Sequence, residues 1–151
     1  MADENLKMVR ILDEETVEVS LPNRYGHERI AMESSASFAK IVGFGKERIE
    51  DLKTAVSEAC LNAMEHGNRG RPDARVIVEM SFNGDTFSVT VTDEGTGITT
   101  FPASHDITKK IQRLIPARGM GLFLMKELMD DVEFNQFSSK GHEVKMALKL
   151  A

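Results

Sequence analysis

The sequence predicts an α+β fold, with helices packed on one face of a mixed, mostly antiparallel sheet. The runs ARVIVEMSF and TFSVTVTD alternate apolar and polar residues and are joined by Asn83-Gly84, which is a strong signal for a β-hairpin. Two other segments, around residues 46–66 and 121–131, repeat apolar residues at helical spacing. Hairpins and amphipathic helices together favour a two-layer arrangement.

Further elements lie on either side of this hairpin. KMVRILDEETVEVSLP has short apolar stretches around an acidic break at 13–15, which suggests strands or a hairpin. A first helix is expected from about Arg24 to Phe44, and a second from Lys46 to His66, ended by Gly67. VEFNQFSS and HEVKMALKL read as a last hairpin. The apolar residues that recur at helical spacing in the two helices are Ile30, Phe38, Ile41, Val42, Ile49, Leu52, Val56, Ala59 and Ala63.

Length and composition predict one domain, residues 1–151, in which 1–7 form a flexible tail. The chain has 151 residues, 41% of them hydrophobic, which is enough for one buried core. It has no apolar run that could span a membrane, and MADENLK does not resemble a signal peptide, so a cytoplasmic protein is expected. The single cysteine, Cys60, reads as a small core residue. A net charge of -5 argues against direct nucleic-acid binding and favours a protein partner.

Three stretches contain residues suited to chemistry, and the first is TDEGTGI. Here a strand ends at Asp93 and continues into Gly95 and Gly97. An acidic residue at the start of a flexible loop can accept a hydrogen bond from a ligand amine, and glycine permits close approach. An ordinary turn would have the same composition.

The second stretch is RGMGL, in which Gly119 and Gly121 lead into a helix at Leu122. Free backbone N–H groups at a helix start, with glycines nearby, can bind phosphate, and Arg118 could hold a terminal phosphate. A glycine-rich helix start that binds nothing is the alternative. Neither the P-loop nor the Rossmann glycine pattern is present, so a nucleotide site here would be of another type.

The third stretch is SEACLNAMEHG, where Glu58, Asn62 and His66 follow one another at four-residue spacing on one side of a helix. The Glu58 carboxylate can accept a proton, and the amide oxygen of Asn62 suits a hard cation such as Mg²⁺. That combination suits phosphoryl transfer. Polar residues at this spacing are also common on a solvated helix border.

Taken in order, E-x-x-x-N, D-x-G-x-G, a long loop and G-x-G-L resemble the Bergerat-fold ATP-binding superfamily, which includes gyrase, histidine kinases and MutL. The matching stretches would be its N, G1 and G2 boxes, and residues 94–118 would be its ATP lid. Within the superfamily, DLKTAVSEACLNAMEHG, VTDEGTGI and GMGLFLMKELMDDVEF are most similar to the anti-sigma-factor serine kinases. Those proteins control sporulation and general-stress sigma factors.

The resemblance implies a role for each matching residue. Glu58 would be the general base, Asn62 would coordinate Mg²⁺, and Asp93 would accept a hydrogen bond from the adenine amino group. His66 fits the family pattern, although a helix-end histidine paired with a neighbour would look the same. The other residues implied to bind ATP or to form the lid hinge are Gly95, Gly97, Arg118, Gly119, Met120, Gly121 and Leu122.

The function implied is that of an ATP- and Mg²⁺-dependent serine-protein kinase and anti-sigma factor. It would phosphorylate an anti-sigma-factor antagonist, sequester a sigma factor, form a homodimer and dock partners near Arg24, Glu28 and Arg29. One alternative is a nucleotide-dependent protein-binding regulator without kinase activity, which would not need Glu58 as a base. Another is a detached histidine-kinase catalytic domain, since HERIAM at His27 superficially resembles a phosphoacceptor motif.

One position departs from the resemblance. Relatives commonly have threonine in the last hairpin, in a pattern like G-x-T-V, whereas this chain has GHEV with Glu143 at that place. Two buried carboxylates close together repel each other or bind a proton. We therefore expect Glu143 to lie near Asp93 and to affect nucleotide affinity or base selectivity.

Overall fold

A computed structural model describes residues 9–11, 15–94, 120–137 and 141–150 of the chain. They form a six-stranded sheet with helices packed against one of its faces, which confirms the predicted fold class. The expected tail, 1–7, and nearly all of the expected lid, 94–118, lie outside the described residues.

The sheet has the spatial order β1-β2-β3-β4-β6-β5, and each neighbouring pair is antiparallel. The predicted hairpin of β3 and β4 is present, with the Asn83 side chain accepting the backbone N–H of Asp85 at 3.0 Å and of Thr86 at 2.8 Å. Both other predicted hairpins are also present. The strands are β1 (Val9–Ile11), β2 (Thr16–Pro22), β3 (Arg75–Phe82), β4 (Thr86–Asp93), β5 (Asp131–Phe137) and β6 (Gly141–Lys149).

Three α-helices are described: α1 (Glu28–Val42), α2 (Lys46–Asn62) and α3 (Met120–Leu128). Helix α1 begins later than predicted, because the residues before it form a turn in which the His27 N–H donates to the Arg24 carbonyl at 3.2 Å. Ile41 has helical spacing but is 82% exposed. No helix among the described residues is long and apolar enough to cross a membrane.

The core lies between α1, α2 and the helix-covered face of the sheet. The central strands β3 and β4 alternate, with every second side chain buried under the helices. Phe87 of β4 is fully buried and makes edge-to-face contacts with Phe38 and Phe44, with ring centroids 5.0 and 6.0 Å away. Cys60 is fully buried in the same core, as expected of a small apolar residue.

Helix α2 ends in a wider turn. Residues Ala63–Gly67 form one turn of π-helix, in which the Asn68 N–H donates to the Ala63 carbonyl, five residues earlier, at 2.7 Å. Turns of this kind inside α-helices often occur at functional sites. Because the turn is wider than an α-helical one, His66 does not continue the line that Glu58 and Asn62 form.

Candidate functional site

Helix α3 begins against the polar side of α2. A Cβ atom added at Gly121 would be 2.5 Å from Glu58 Oε2 and 3.5 Å from Asn62 Nδ2. Any residue larger than glycine at this position would force the Glu58 carboxylate or the helix to shift. The structure therefore brings Glu58, Asn62 and Gly121 together, although Gly121 comes 59 positions after Asn62 in the sequence.

Asn62 has a polar atom that the described part of the protein leaves without a partner. Its Nδ2 is shielded from solvent and makes no hydrogen bond with the described residues. A buried amide without a partner costs free energy, and which end of an amide is oxygen is assigned from its surroundings. A side chain of this kind suits a site at which a ligand or a metal supplies the missing interaction.

His66 contacts a neighbour in its own helical turn. Its Nε2 is 3.5 Å from Oε2 of the neighbouring Glu65, and both side chains are partly buried. This contact fits the interpretation of His66 as a helix-end histidine paired with a neighbour.

Asp93 is buried at the end of β4, with 6% of its surface exposed. Its Oδ1 accepts the backbone N–H of His142 at 3.1 Å and lies 3.4 Å from Nδ1 of the same residue. The backbone of Gly67 is so close that a Cβ atom there would overlap Asp93 Oδ2. A Cβ atom at Gly141 would overlap the Asp93 carbonyl oxygen. Two glycines and His142 therefore surround this carboxylate.

The expectation that Glu143 lies near Asp93 is wrong. Glu143 is paired with Thr92 across β4 and β6, and side chains at paired positions lie on the same face of a sheet. His142, one position earlier on β6, contacts the buried Asp93 carboxylate, so Glu143 lies on the other face. There its Oε2 is 3.4 Å from Nδ2 of Asn135 on β5.

Asn68 is a further residue at this site, and sequence reasoning missed it. Its side chain is fully buried; Oδ1 accepts the Glu94 N–H at 2.8 Å, and Nδ2 donates to the Arg75 carbonyl at 3.0 Å and to Asn23 Oδ1 at 3.2 Å. Asn68 thus links the end of the π-helical turn to the residue that follows Asp93. Its one signal in the sequence is its place after Gly67, where an ordinary turn residue would also occur.

The other predicted residues are described only in part. Gly95, Gly97, Arg118 and Gly119 lie outside the described residues, and of Met120 only the backbone is described. Leu122 is partly buried and packs against the core. Near the expected docking surface, Arg24 and Arg29 are exposed, whereas Glu28 Oε1 accepts the Gly26 N–H at 2.6 Å. The docking role of these residues remains a prediction.

The arrangement has the parts of a nucleotide site along the C-terminal end of α2 and the π-helical turn that follows it. Glu58 and Asn62 face the start of α3, and Gly67 contacts the buried carboxylate of Asp93. A comparison with protein families agrees with this description: residues 21–148 match the model of the histidine kinase-like ATPase domain. The fold and the match together define the class of protein.

Individual relatives show which family of this class the chain belongs to. Serine-protein kinase RsbW of Listeria innocua serovar 6a is 34% identical over an alignment of 128 residues, which covers 78% of this chain and 77% of that protein. Serine-protein kinase RsbW of Bacillus pumilus is 33% identical over 130 residues, covering 78% of this chain and 76% of that protein. The chain therefore belongs to the RsbW serine-protein kinase family, a branch of the histidine kinase-like ATPases.

Two solved structures share the fold. The RsbU and RsbW domains of Rv1364c from Mycobacterium tuberculosis align with a TM-score of 0.61 and 14% identity, over 88% of this chain and 31% of that longer chain. The SiaB–SiaC complex from Pseudomonas aeruginosa aligns with a TM-score of 0.56 and 10% identity, over 99% of this chain and 95% of that chain. At these identities the similarity concerns the fold.

Proposed function

We propose that this protein is an ATP-dependent serine-protein kinase and anti-sigma factor. It transfers the γ-phosphate of ATP to a serine of an anti-sigma-factor antagonist, and it sequesters a sigma factor. The observation that carries the proposal is the close approach of Gly121 to Glu58 and Asn62, which joins the start of α3 to a carboxylate and an amide. The relatives named serine-protein kinase support the reaction class.

The reaction needs a base, and Glu58 is the group we assign to it. Its carboxylate takes the proton of the serine hydroxyl while the serine oxygen bonds to the γ-phosphorus and the bond to the ADP oxygen breaks. The first backbone N–H groups of α3 have no partner within the helix and suit phosphate oxygens. Asp93 accepts a hydrogen bond from the adenine amino group.

The Asn62 side chain fits a role in holding Mg²⁺ through its amide oxygen, because it lies beside Glu58 at the start of α3. Its shielded Nδ2 is a donor and suits an acceptor oxygen of the bound nucleotide. When bound, Mg²⁺ supplies positive charge that neutralises the phosphate oxygens. The contribution of Asn62 is one neutral oxygen ligand in a fixed place.

The partners we propose are proteins. The solved relatives include a complex of two proteins, SiaB and SiaC. A sigma factor and its antagonist would compete for this chain in the cytoplasm, with docking near the N-terminal end of α1. We further propose that the chain acts as one domain and forms a homodimer.

Kinase activity is tested by incubating the purified protein with Mg²⁺, γ-labelled ATP and the antagonist-like protein encoded nearest to its gene. We expect label on a serine, and we expect Glu58→Gln to lower the transfer rate by about 10²–10⁴ while ATP still binds. Glu79→Gln is the matched control, because Glu79 is exposed on β3.

Each possible result of that experiment has a defined consequence for the proposal. Transfer at the wild-type rate by Glu58→Gln would remove Glu58 from the role of base. Wild-type protein that binds ATP but labels none of the candidate proteins would identify a binding regulator without kinase activity. Wild-type protein that binds no ATP would overturn the proposal.

The role of Asn62 is tested by measuring ATP affinity with and without Mg²⁺. We expect Mg²⁺ to strengthen ATP binding by the wild-type protein and Asn62→Ala to lose most of that gain. Asn135→Ala, at an exposed position on β5, should keep it. An equal gain in both variants would exclude Asn62 as a ligand.

A further inference from the structure

His142 is buried on the helix-covered face of the sheet. Of the three histidines that the structure describes, only His142 is buried, with 4% of its surface exposed. Burying a polar ring is unfavourable unless it is hydrogen-bonded, so the imidazole of His142 is expected to have a polar partner. The ring lies against the Asp93 carboxylate, with Nδ1 3.4 Å from Oδ1.

We propose that His142 is a positioning residue for base recognition: its main-chain N–H and its imidazole Nδ1–H hold the Asp93 carboxylate in the orientation that accepts the adenine amino group. This inference rests on the proposed function, in which ATP binds with its base at Asp93. It adds a residue that selects the base by acting through Asp93.

The chemistry of the two groups fixes the direction of the hydrogen bond. An ionised carboxylate has no proton to donate, so a favourable contact requires that Nδ1 of His142 carries the proton. The backbone N–H of His142 donates to the same oxygen at 3.1 Å. Two donors from one residue act on Oδ1, and they restrict rotation of the carboxylate about its χ2 bond.

The surrounding backbone restricts the carboxylate further. Gly67 contacts the Oδ2 side, and Gly141, whose φ is +132°, contacts the main chain of Asp93. Neither position has room for a side chain. Asp93 is therefore held between the end of the π-helical turn and the start of β6, with His142 as the donor on one side.

Orientation matters because the common purine bases differ at one edge. Adenine carries a donor amino group at position 6, whereas guanine carries an acceptor oxygen there. A carboxylate that is fixed toward position 6 attracts the adenine amino group and repels the guanine oxygen. A carboxylate that is free to rotate can instead accept from donors elsewhere on guanine, and the preference for adenine falls.

The test compares ATP with purine riboside 5′-triphosphate, which lacks only the 6-amino group. Dissociation constants for both are measured with the wild-type chain, His142→Leu, His142→Asn and Glu143→Gln. Leucine fills space without a donor, and asparagine retains a donor near the position of Nδ1. Glu143 is the matched control, because it neighbours His142 but lies on the other face of the sheet.

We expect the wild-type protein to prefer ATP, and His142→Leu to reduce that preference about tenfold, as loss of a hydrogen bond to a charged group does. His142→Asn and Glu143→Gln should keep most of it. If His142→Leu weakens both nucleotides equally, or leaves the preference unchanged, the inference is overturned. Equal binding of both nucleotides by the wild-type protein would overturn it, together with the adenine contact assigned to Asp93, while leaving the proposed phosphoryl transfer in place. Binding of neither would overturn both.

A measurement on the wild-type protein does not depend on how His142→Leu folds. The chain has four histidines, so a sample labelled with ¹⁵N-histidine gives few imidazole signals, and His142→Asn identifies the one from His142. We expect Nδ1 of His142 to carry the proton in the ATP complex. A spectrum in which Nδ1 carries none would overturn the inference.

Discussion

Gly121 at the start of α3 lies against the carboxylate of Glu58 on α2, so that a Cβ atom added there would be 2.5 Å from Glu58 Oε2. Real Cβ atoms do not approach a carboxylate oxygen so closely, so a larger residue at this position would require Glu58 or α3 to shift. The other end of α3 is also attached to α2, because Arg48 donates to the Leu128 carbonyl at 3.2 Å and to Asp130 at 3.0 Å. Helix α3 therefore lies against α2 at both of its ends.

Replacing Gly121 should impair the site more than the fold. We expect Gly121→Ala to weaken ATP binding at least about tenfold, because the new methyl group displaces Glu58 or the start of α3. The measurement is ATP affinity by calorimetry, with the unfolding midpoint recorded alongside. Gly45→Ala is the matched control, since a Cβ atom there would contact nothing within 4 Å. Equal affinities for the two variants would contradict the prediction.

Gly67 should be needed for ATP binding because its backbone lies against the Asp93 carboxylate. A side chain at Gly67 overlaps the Asp93 carboxylate, so we expect Gly67→Ala to turn that carboxylate away and to weaken ATP binding about tenfold or more. A double-mutant cycle checks the cause. In an Asp93→Gly background the carboxylate and the Cβ atom of Asp93 are both gone, so Gly67→Ala should then cost much less affinity. Equal losses in both backgrounds would show that Gly67 acts elsewhere.

Asn68 should contribute to stability as well as to the site. Its side chain makes three buried or partly buried hydrogen bonds, to Glu94, Arg75 and Asn23. We expect Asn68→Ala to lower the free energy of unfolding by about 2–4 kcal/mol, because it leaves buried polar groups without partners. Urea unfolding followed by circular dichroism measures this. Asn135→Ala, at an exposed site, should change the free energy by less than about 0.5 kcal/mol, and a similar loss there would refute the explanation.

Cys60 should make stability depend on pH in alkaline solution. Burial, and secondarily the negative charge of Glu28, raise the pKa of its thiol far above the ordinary value. In the unfolded chain the thiol loses its proton above about pH 8.5, whereas the folded protein keeps it, so rising pH favours unfolding. The contribution is fully present below that pH and falls by at most about 1.4 kcal/mol per pH unit above it.

The comparison of wild-type protein with Cys60→Ala isolates this effect. Between pH 8.5 and 10, the unfolding free energy of the wild-type protein should fall more steeply than that of the variant. Parallel curves would mean that the thiol does not keep its proton in the folded state. As a second check, a thiol reagent should label Cys60 slowly in native protein and rapidly in urea.

Much of the fold could be predicted because its signals are local. The Asn83-Gly84 turn fixes the pairing of β3 with β4, and the apolar stripe of α2 gives its buried face. The contact of Gly121 with Glu58 and Asn62 could be anticipated only from the order of the three glycine and polar stretches, since spacing alone does not bring distant segments together.

The residues that sequence analysis misplaced or missed could be located only from contacts between distant segments of the chain. Glu143 and His142 differ by one position, and in a strand one position decides the face, so the register of β6 against β4 was needed to choose between them. Asn68 lies in a polar turn sequence, and its burial depends on Asn23, Arg75 and Glu94 reaching it from other elements. Ile41 follows helical spacing, yet the first helix turns its small residues Ala31 and Ala39 to the core.

The position of β6 has a consequence for how the chain is made. β6 is the last strand of the sheet in chain order, but it lies between β4 and β5 and supplies Gly141 and His142 beside Asp93. During translation, the segment with Glu58 and Asn62 leaves the ribosome long before these residues do. The carboxylate of Asp93 acquires Gly141 and His142 as neighbours only when residues near 142 have emerged and the final strand has been inserted. Until then, the growing chain has the residues proposed to bind phosphate but not the enclosed site proposed for the base. Binding that depends on adenine would therefore begin only after the last strand has joined the sheet.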